Sequence, residues 1–473
     1  MLGPARISPQ ASHARLTPAG VFLSAGAFGL SKGEHVEHVT RDPAISVQMN
    51  RRRFLQASLG TAGLLAVAGN LALPPLMAAA AGKLEIFSWW TAPGEVEALD
   101  ALYAVFKAAY PDVEVINAAL AGGAGPGGNM KAVLQTRLLA GQPPDSFQVH
   151  LGHELTDSSV KAGEMEPIDF LYDSEGWNTV FPDQLLAISK AQGHQWAVPV
   201  NIHRSNVLWY NKSIVAGAGM SLPTTFHEYL ALGEALKSQD IPLMALGESV
   251  PFHTAHVFET VLEGTLGAEG WKGLWTGITP FSDPGVTDAL NTLNRMIDFA
   301  NKDYLSIDSV GALDLVIGGR AASIIDGDWA NGYFKSKKFA DFGYSPSPQT
   351  QGVYSALADS FGLPNGAVDR DNAIAWLKIC GSLPGQDAFN PLKGSIPARL
   401  DGGQADTYDS YQRAAMADFK TNVIVPSVVH GFAAKQSFVT DFVNIMNGFA
   451  VSRDVAATQS SLVQAAQVAG FGA

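Results

Sequence analysis

The amino-acid sequence predicts an α/β protein of two lobes. From Lys83 onward, short apolar runs alternate with segments of helical period, the pattern of a largely parallel sheet. The chain has 473 residues, too many for one simple core. Hydrophobic residues make up 47% and charged residues 16%, a balance that belongs to compact proteins and not to disordered ones.

The first strand leads into Ser88-Trp89-Trp90. A helix follows, with Leu99, Leu102, Tyr103, Phe106 and Tyr110 on one buried face; Thr91 is its expected cap, Pro93 suits its first turn and Pro111 ends it. The second strand is expected at Val113–Asn117, a glycine-rich loop at 122–128, a helix over 129–140 and a third strand at 146–150. Amphipathic stretches continue through 152–162 and 181–189, and helical pattern returns at 286–301 and 405–420. Trp89, Trp90 and Glu95 then sit at the carboxyl end of a strand and the amino end of a helix, where open α/β sheets bind ligands. Gln148 and His150 share one face at the end of the third strand, in a parallel position.

The totals exclude several functions. With 31 Lys+Arg against 44 Asp+Glu, the net charge is −13, which argues against nucleic acid and anionic membrane surfaces. The single cysteine, Cys380, rules out an internal disulfide and a Cys-rich zinc site, and reads as a core thiol. Residues 1–48 lack periodicity and are expected to be a mis-assigned or disordered extension. Residues 49–81 have a basic start, an apolar middle and a small-residue end, the parts of a signal peptide. Arg51-Arg52-Arg53-Phe54-Leu55 resembles a twin-arginine export signal, departing from it at Asn50 and Gln56. A GxSxG match at 29–33 has no strand before it and is discarded. The match of Gly123, Gly125 and Gly128 to a dinucleotide fingerprint follows the second strand, contains Pro126 and lacks a ribose-binding acid. His150-x-x-His153 and His253-x-x-His256 lack a further ligand at a diagnostic spacing. No cofactor and no metal are expected.

Four motifs then occur in order. They are Gly193-x-x-Trp196-Ala197-Val198-Pro199, Leu208-Trp209-Tyr210-Asn211, Leu222-Pro223-Thr224-Thr225-Phe226 and Gly319-Arg320-Ala321-Ala322 leading to Gly327-Asp328-Trp329. Together they resemble the extracellular solute-binding proteins of ABC sugar importers. Ser88-Trp89-Trp90-Thr91 with Glu95, Ala358-Asp359-Ser360-Phe361-Gly362 and Phe389-Asn390-x-x-Lys393-Gly394-Ser395 look like the glucose-binding branch. The resemblance implies a two-lobed periplasmic-binding-protein fold with a hinge between lobes. It implies residues 82–200 with 315–360 as lobe one, and 201–314 with 361–473 as lobe two. It also implies a monomeric periplasmic receptor without enzymatic activity, a monosaccharide ligand and an inner-membrane ABC permease as partner.

A monosaccharide offers C–H faces and a rim of hydroxyls, so its site needs aromatic plates and fixed polar groups. The resemblance implies Trp89, Trp90 and Trp329 as plates, with Trp90 favoured over Trp89. It implies Glu95, Gln148, His150, Asp359, Lys393 and His430 as hydrogen-bonding partners. The residues alone leave Asp328 beside Asp359, and His203 beside His430, as alternatives. Arg204 and Trp275 are of second rank. Lys393 stands out as a cation in an Asn-Pro-Leu-Lys-Gly-Ser turn. The competing readings are an exported glycoside hydrolase using Glu95 and Asp359, and a receptor for an oligosaccharide or polyol.

Overall fold

A computed structural model of the chain describes residues 81–120 and 128–471. The expected extension, export signal and GxSxG match, and most of the glycine-rich loop, lie outside the described residues. Among the described residues no helix is long and apolar enough to cross a membrane.

The first lobe begins as the alternation predicts. Strand β1 is Gly82–Phe87, helix α1 Glu95–Ala109, strand β2 Val113–Asn117, helix α2 Gly128–Leu139 and strand β3 Ser146–His150. β1 pairs in parallel with β2 and β3. Leu99, Leu102, Tyr103 and Phe106 of α1 are buried, as is Tyr110 at its C-cap. Its start differs from expectation. Gly94, in the left-handed region, is the N-cap, and the Glu97 carboxylate accepts from its backbone N–H at 2.6 Å. Thr91 and Pro93 lie ahead of the helix, because a carboxylate two or three residues in can satisfy the free N–H groups as a hydroxyl cap would.

Beyond this unit the chain continues with β4 (Ala197–Pro199), β5 (His203–Arg204), β6 (Val207–Asn211), α3 (His253–Thr276, interrupted at Gly267), α4 (Pro284–Ile297), α5 (Ser309–Ile317), β7 (Ser323–Asp326), α6 (Trp329–Ser336), β8 (Phe342–Pro346), β9 (Val353–Leu357) and β10 (Asp359–Gly362). It ends with α7 (Arg370–Cys380), α8 (Leu383–Lys393), α9 (Ser410–Thr421), β11 (Val423–Pro426), α10 (Gln436–Ser452) and α11 (Val455–Ala469). Among the described residues, the three larger sheets have the strand orders β2-β1-β3-β10-β4, β8-β6-β7 and β11-β9-β5, and a fourth is a ribbon pairing Lys190–Ala191 with His194–Gln195.

The strand pairings cut across the expected lobe boundaries. β7 and β8, placed with lobe one by resemblance, both pair with β6 of the second sheet. β10 instead joins the first sheet between β3 and β4. Helices α7 and α8, placed with lobe two, pack on the first unit: Trp376 meets Tyr103 and Phe106, and Phe389 meets Trp90. Period and propensity show that a strand exists but not which strand it pairs with. The side chains of Val316, Ala330 and Phe334 nevertheless pack into the first core, as expected for 315–360.

Two cores result. Leu84, Ile86, Phe106, Phe147, Phe361 and Trp376 belong to one; Leu230, Phe258, Leu290, Phe442 and Leu462 belong to the other. Alternation divides the second sheet between them, with Trp209 and Ile324 in the first core and Leu208 and Ile325 in the second. Cys380 is fully buried in the first core.

The chain crosses between sheets side by side at two places, from β4 through residues 200–202 to β5, and from β9 through Ala358 to β10. The crossings are bonded together: Val200 N donates to the Asp359 carbonyl at 2.9 Å, and Asp359 N donates to Asn201 Oδ1 at 2.8 Å.

Helix α6 crowds the end of α8. A Cβ on Gly332 would lie 2.5 Å from the Lys393 carbonyl oxygen and 2.6 Å from that of Leu392. Gly332→Ala is therefore expected to cost about 1–3 kcal/mol, as overpacking does, and to displace the backbone that carries Lys393. Thermal unfolding of the variant measures it; an unchanged melting temperature would show that the two helices separate freely.

Candidate functional site

The elements converge on one cleft of about 270 Å³. Its lining includes Trp89, Trp90, Glu95, His150, Trp329, Asp359, Lys393 and His430, eight of the nine residues singled out in the sequence. They come from the end of β1, the start of α1, the end of β3, the start of α6, the start of β10, the end of α8 and the 427–430 segment after β11. The ninth, Gln148, stands behind the wall. Its Oε1 accepts from Trp89 N at 3.1 Å and its Nε2 donates to Asp359 Oδ1 at 3.0 Å, so it holds two lining residues in place.

Register explains part of this. Asp359 stands opposite His150 in the β10–β3 ladder, which brings residues 209 positions apart to one edge of the sheet. The His150 ring is steered by Glu154, which also accepts from Lys131 Nζ at 2.7 Å. Burial alone would raise the Glu154 carboxyl, but Lys131 and His150 hold it down at about 2. Trp89 is tilted over the His150 ring at 5.0 Å and lies beneath the Lys131 ammonium.

Both tryptophans line the cleft, and they differ in packing. Trp90 is 1% exposed and wedged among Phe361, Phe389 and Lys393, whereas Trp89 is 8% exposed. Both are buried, Trp90 against Phe361 and Phe389 and Trp89 against His150 and Lys131. Lys393 is not in a turn. It is the last residue of α8, a helix that tolerates Pro391 near its end and closes on Gly394 in the left-handed region. Only 4% of the Lys393 side chain is exposed, and its Nζ donates to Glu95 Oε1 at 2.9 Å.

Residues that the sequence set aside form the floor. His203 is fully enclosed between Asp328, which bonds its Nδ1, and Asp359, 3.0 Å from its Nε2. Burial would lower the His203 imidazole, but those two carboxylates raise it above its ordinary value. Asp359 answers in the opposite sense. Burial would raise its carboxyl, yet the His203 hydrogen bond and the charges of His203, His150 and Lys393 hold it far below the carboxylate range. Asn201 Nδ2 adds a third donor to Asp359 at 3.1 Å. His430 is pushed well below its ordinary value by burial and by the neighbouring imidazoles of His150, His256 and His203. Asp326 lines the cleft and is raised by burial to about 7. Phe252, Asp308 and Tyr333 complete the far wall. Among these, only His203 and Asp328 had a sequence signal, as alternatives to His430 and Asp359.

The second-rank pair lies elsewhere. Arg204 turns away to bond Asp418, Asn206 and the Val353 carbonyl, and Trp275 packs against Trp271, Phe281, Phe438 and Phe471. Arg204 is structural and Trp275 is packing. His150 and His153 take separate partners: His150 bonds Glu154, while His153 bonds Asp157 at 3.1 Å.

Two α/β lobes, adjacent strand crossings and a cleft at the crossings define a solute-binding protein of the two-lobed periplasmic type. The chain belongs to the bacterial extracellular solute-binding protein family, whose model matches residues 84–387. It is 36% identical to an uncharacterised ABC transporter extracellular-binding protein of Pyrococcus horikoshii, over 81% of this chain and 87% of that one. It is 32% identical to a protein of Rhizobium meliloti named a probable sugar-binding periplasmic protein, over 77% and 88% of the two chains. A xylose/arabinose-binding protein of Haloferax volcanii is 27% identical over 74% and 77%. In fold the chain is similar to the solved receptor AcbH, described as exclusive for β-D-galactopyranose, with a TM-score of 0.72 at 18% identity, over 82% of this chain and 99% of that one.

Proposed function

We propose that the protein is an exported, monomeric receptor that binds one monosaccharide in this cleft and delivers it to the permease of an ABC importer. Glucose or a close epimer is the ligand we favour. The observation that carries the reading is the small cleft that gathers Trp89, Trp90 and Trp329 with Glu95, His150, Asp359, Lys393 and His430. Its volume of about 270 Å³ falls at the small end of ligand clefts, nearer one sugar ring than a chain of them. The polar groups are braced by other protein groups, so little side-chain freedom remains to be lost on binding. Binding would draw the walls together about the crossings at 200–202 and 358, with the ligand favouring the closed form through its contacts to both walls. The closed form would dock on the permease.

The names of the relatives support a sugar ligand, and the Haloferax relative's name makes a pentose the second reading. A hydrolase needs one carboxyl raised to act as acid. Asp359 is instead held low and Glu95 is tied to Lys393, which weighs against the use of this pair. A thermal-shift screen of the purified protein against hexoses, pentoses, disaccharides and polyols tests the reading, with calorimetry on each hit. One hexose is expected to raise the melting temperature most and to remain unconsumed after prolonged incubation. A preference for disaccharides or polyols, or turnover of the sugar, would overturn it.

A further inference from the structure

The polar face of α3 has no part in the proposed sugar contacts. His253 is satisfied, with Nδ1 accepting from Gly247 N at 3.2 Å and Nε2 bonded to the Ile325 carbonyl at 3.0 Å. His256 is fully buried too, yet among the described residues neither of its ring nitrogens has a hydrogen-bond partner; the nearest carboxylate, Asp326 Oδ1, lies 3.8 Å from Nε2. Buried polar groups are rarely left so, because their loss of water is uncompensated. Glu259 lies three residues on, so it shares the helix face of His256. That face meets residues 427–430, which carry His430. One donor atom from each of His256, Glu259 and His430 lies within 4.8 Å of the other two, and all three residues are buried. The two imidazole rings meet edge to face with centroids 5.8 Å apart.

The surroundings orient these groups as the partners of metal ligands do. His430 Nδ1 is bonded to Ser427 Oγ at 2.7 Å, which leaves Nε2 free to bind. Glu259 Oε2 accepts from Val428 N and Val429 N at 2.7 and 2.9 Å, and Oε1 accepts from Ser205 Oγ at 3.2 Å. All these donors are neutral, so none of them balances a carboxylate charge.

We propose that His256, Glu259 and His430 form a binding site for a divalent transition-metal cation of the zinc class at the floor of the cleft. Two imidazoles and a carboxylate suit zinc and leave a fourth tetrahedral position for water. His430 also lines the cleft, which supplies the path of entry; with Nδ1 bonded to Ser427 and Nε2 on the cation, it would meet the sugar only through the metal's fourth position. The cation would tie α3 to the 427–430 segment.

The test uses the full chain, treated with chelator and dialysed against zinc or cobalt(II) without sugar, so that its failure leaves the receptor reading untouched. The wild type is expected to take up one zinc per chain, to show the visible bands of tetrahedral cobalt(II), and to melt several degrees higher with metal. His256→Phe keeps a ring against Phe252 and Trp329 while removing a ligand. It is expected to lose the bands, the bound zinc and the melting shift; His256→Gln should do the same if the phenylalanine variant does not fold. No stoichiometric uptake by the wild type would overturn the proposal. Undiminished uptake by these variants would do so as well, because it would place the metal on more exposed histidines such as His153 and His194.

Discussion

His203→Gln is expected to lower the unfolding free energy by about 3–5 kcal/mol, the cost of removing one partner from a buried ion pair. His203 is 1% exposed and stands between two buried carboxylates, Asp328 and Asp359. Glutamine can bond one of them but brings no charge. Gln148 and Asn201 remain as neutral donors to Asp359 and the Lys393 charge remains nearby, which softens the loss without replacing the direct ion pair. Asp328→Asn in the same chain should recover part of the loss, since it removes one of the stranded carboxylates. The pH dependence separates this from a packing defect. The His203 imidazole is raised on folding, so its contribution is whole below its unfolded value of about 6.5 and fades as pH climbs through the raised one. The Asp359 carboxyl is lowered, so its contribution is whole above about 4 and fades as pH falls through its folded value. The gap between wild type and variant should therefore be widest between those limits and narrow on either side. Denaturant titrations at several pH values measure it; a gap constant from pH 4 to 9 would refute the charged bridge.

The two kinds of sequence signal fared differently. Strands 113–117 and 146–150 follow from apolar runs bounded by turns, and the buried face of α1 follows from its period. Those are local properties. The pairing of β7 and β8 with β6, and of β10 with β3, depends on contacts across more than a hundred residues that no window of sequence contains. The same limit governs the floor of the cleft. His203 and Asp328 are separated by 125 positions, and only the crossing beside β5 brings them together. Much of the wall was more legible because Trp89, Trp90, Glu95, Trp329, Asp359 and Lys393 sit in the ordered motifs on which the resemblance rests, whereas His150 and His430 do not. The division of labour along the wall was not legible: the tandem Trp89-Trp90 gives no sign of which indole will meet Phe361 and Phe389.

That packing decides how the sugar reading is best tested by mutation. Trp90→Ala would remove a fully buried indole from the core at a cost of about 3–5 kcal/mol, so a loss of binding could be a loss of fold. Lys393 offers a cleaner probe. Its chain is packed at the end of α8 beside Trp90, and Lys393→Met keeps most of that apolar contact while deleting the ammonium. The partner left behind, Glu95, keeps 20% of its side chain exposed and can recruit water, so the fold should lose little. A ligand hydroxyl bonded to the ammonium would lose a charge-assisted hydrogen bond of about 1.5–3 kcal/mol, or roughly 10- to 150-fold in affinity. Removing the ammonium also frees the Glu95 carboxylate to face the ligand unpaired, which would deepen the loss for a ligand that placed acceptor oxygens there. Titration calorimetry with the sugar found by screening, together with a melting curve, should show affinity falling well over tenfold at nearly constant stability. Unchanged affinity in a folded Lys393→Met protein would remove Lys393 from the binding set and shift the polar recognition to His150, Asp359 and His430.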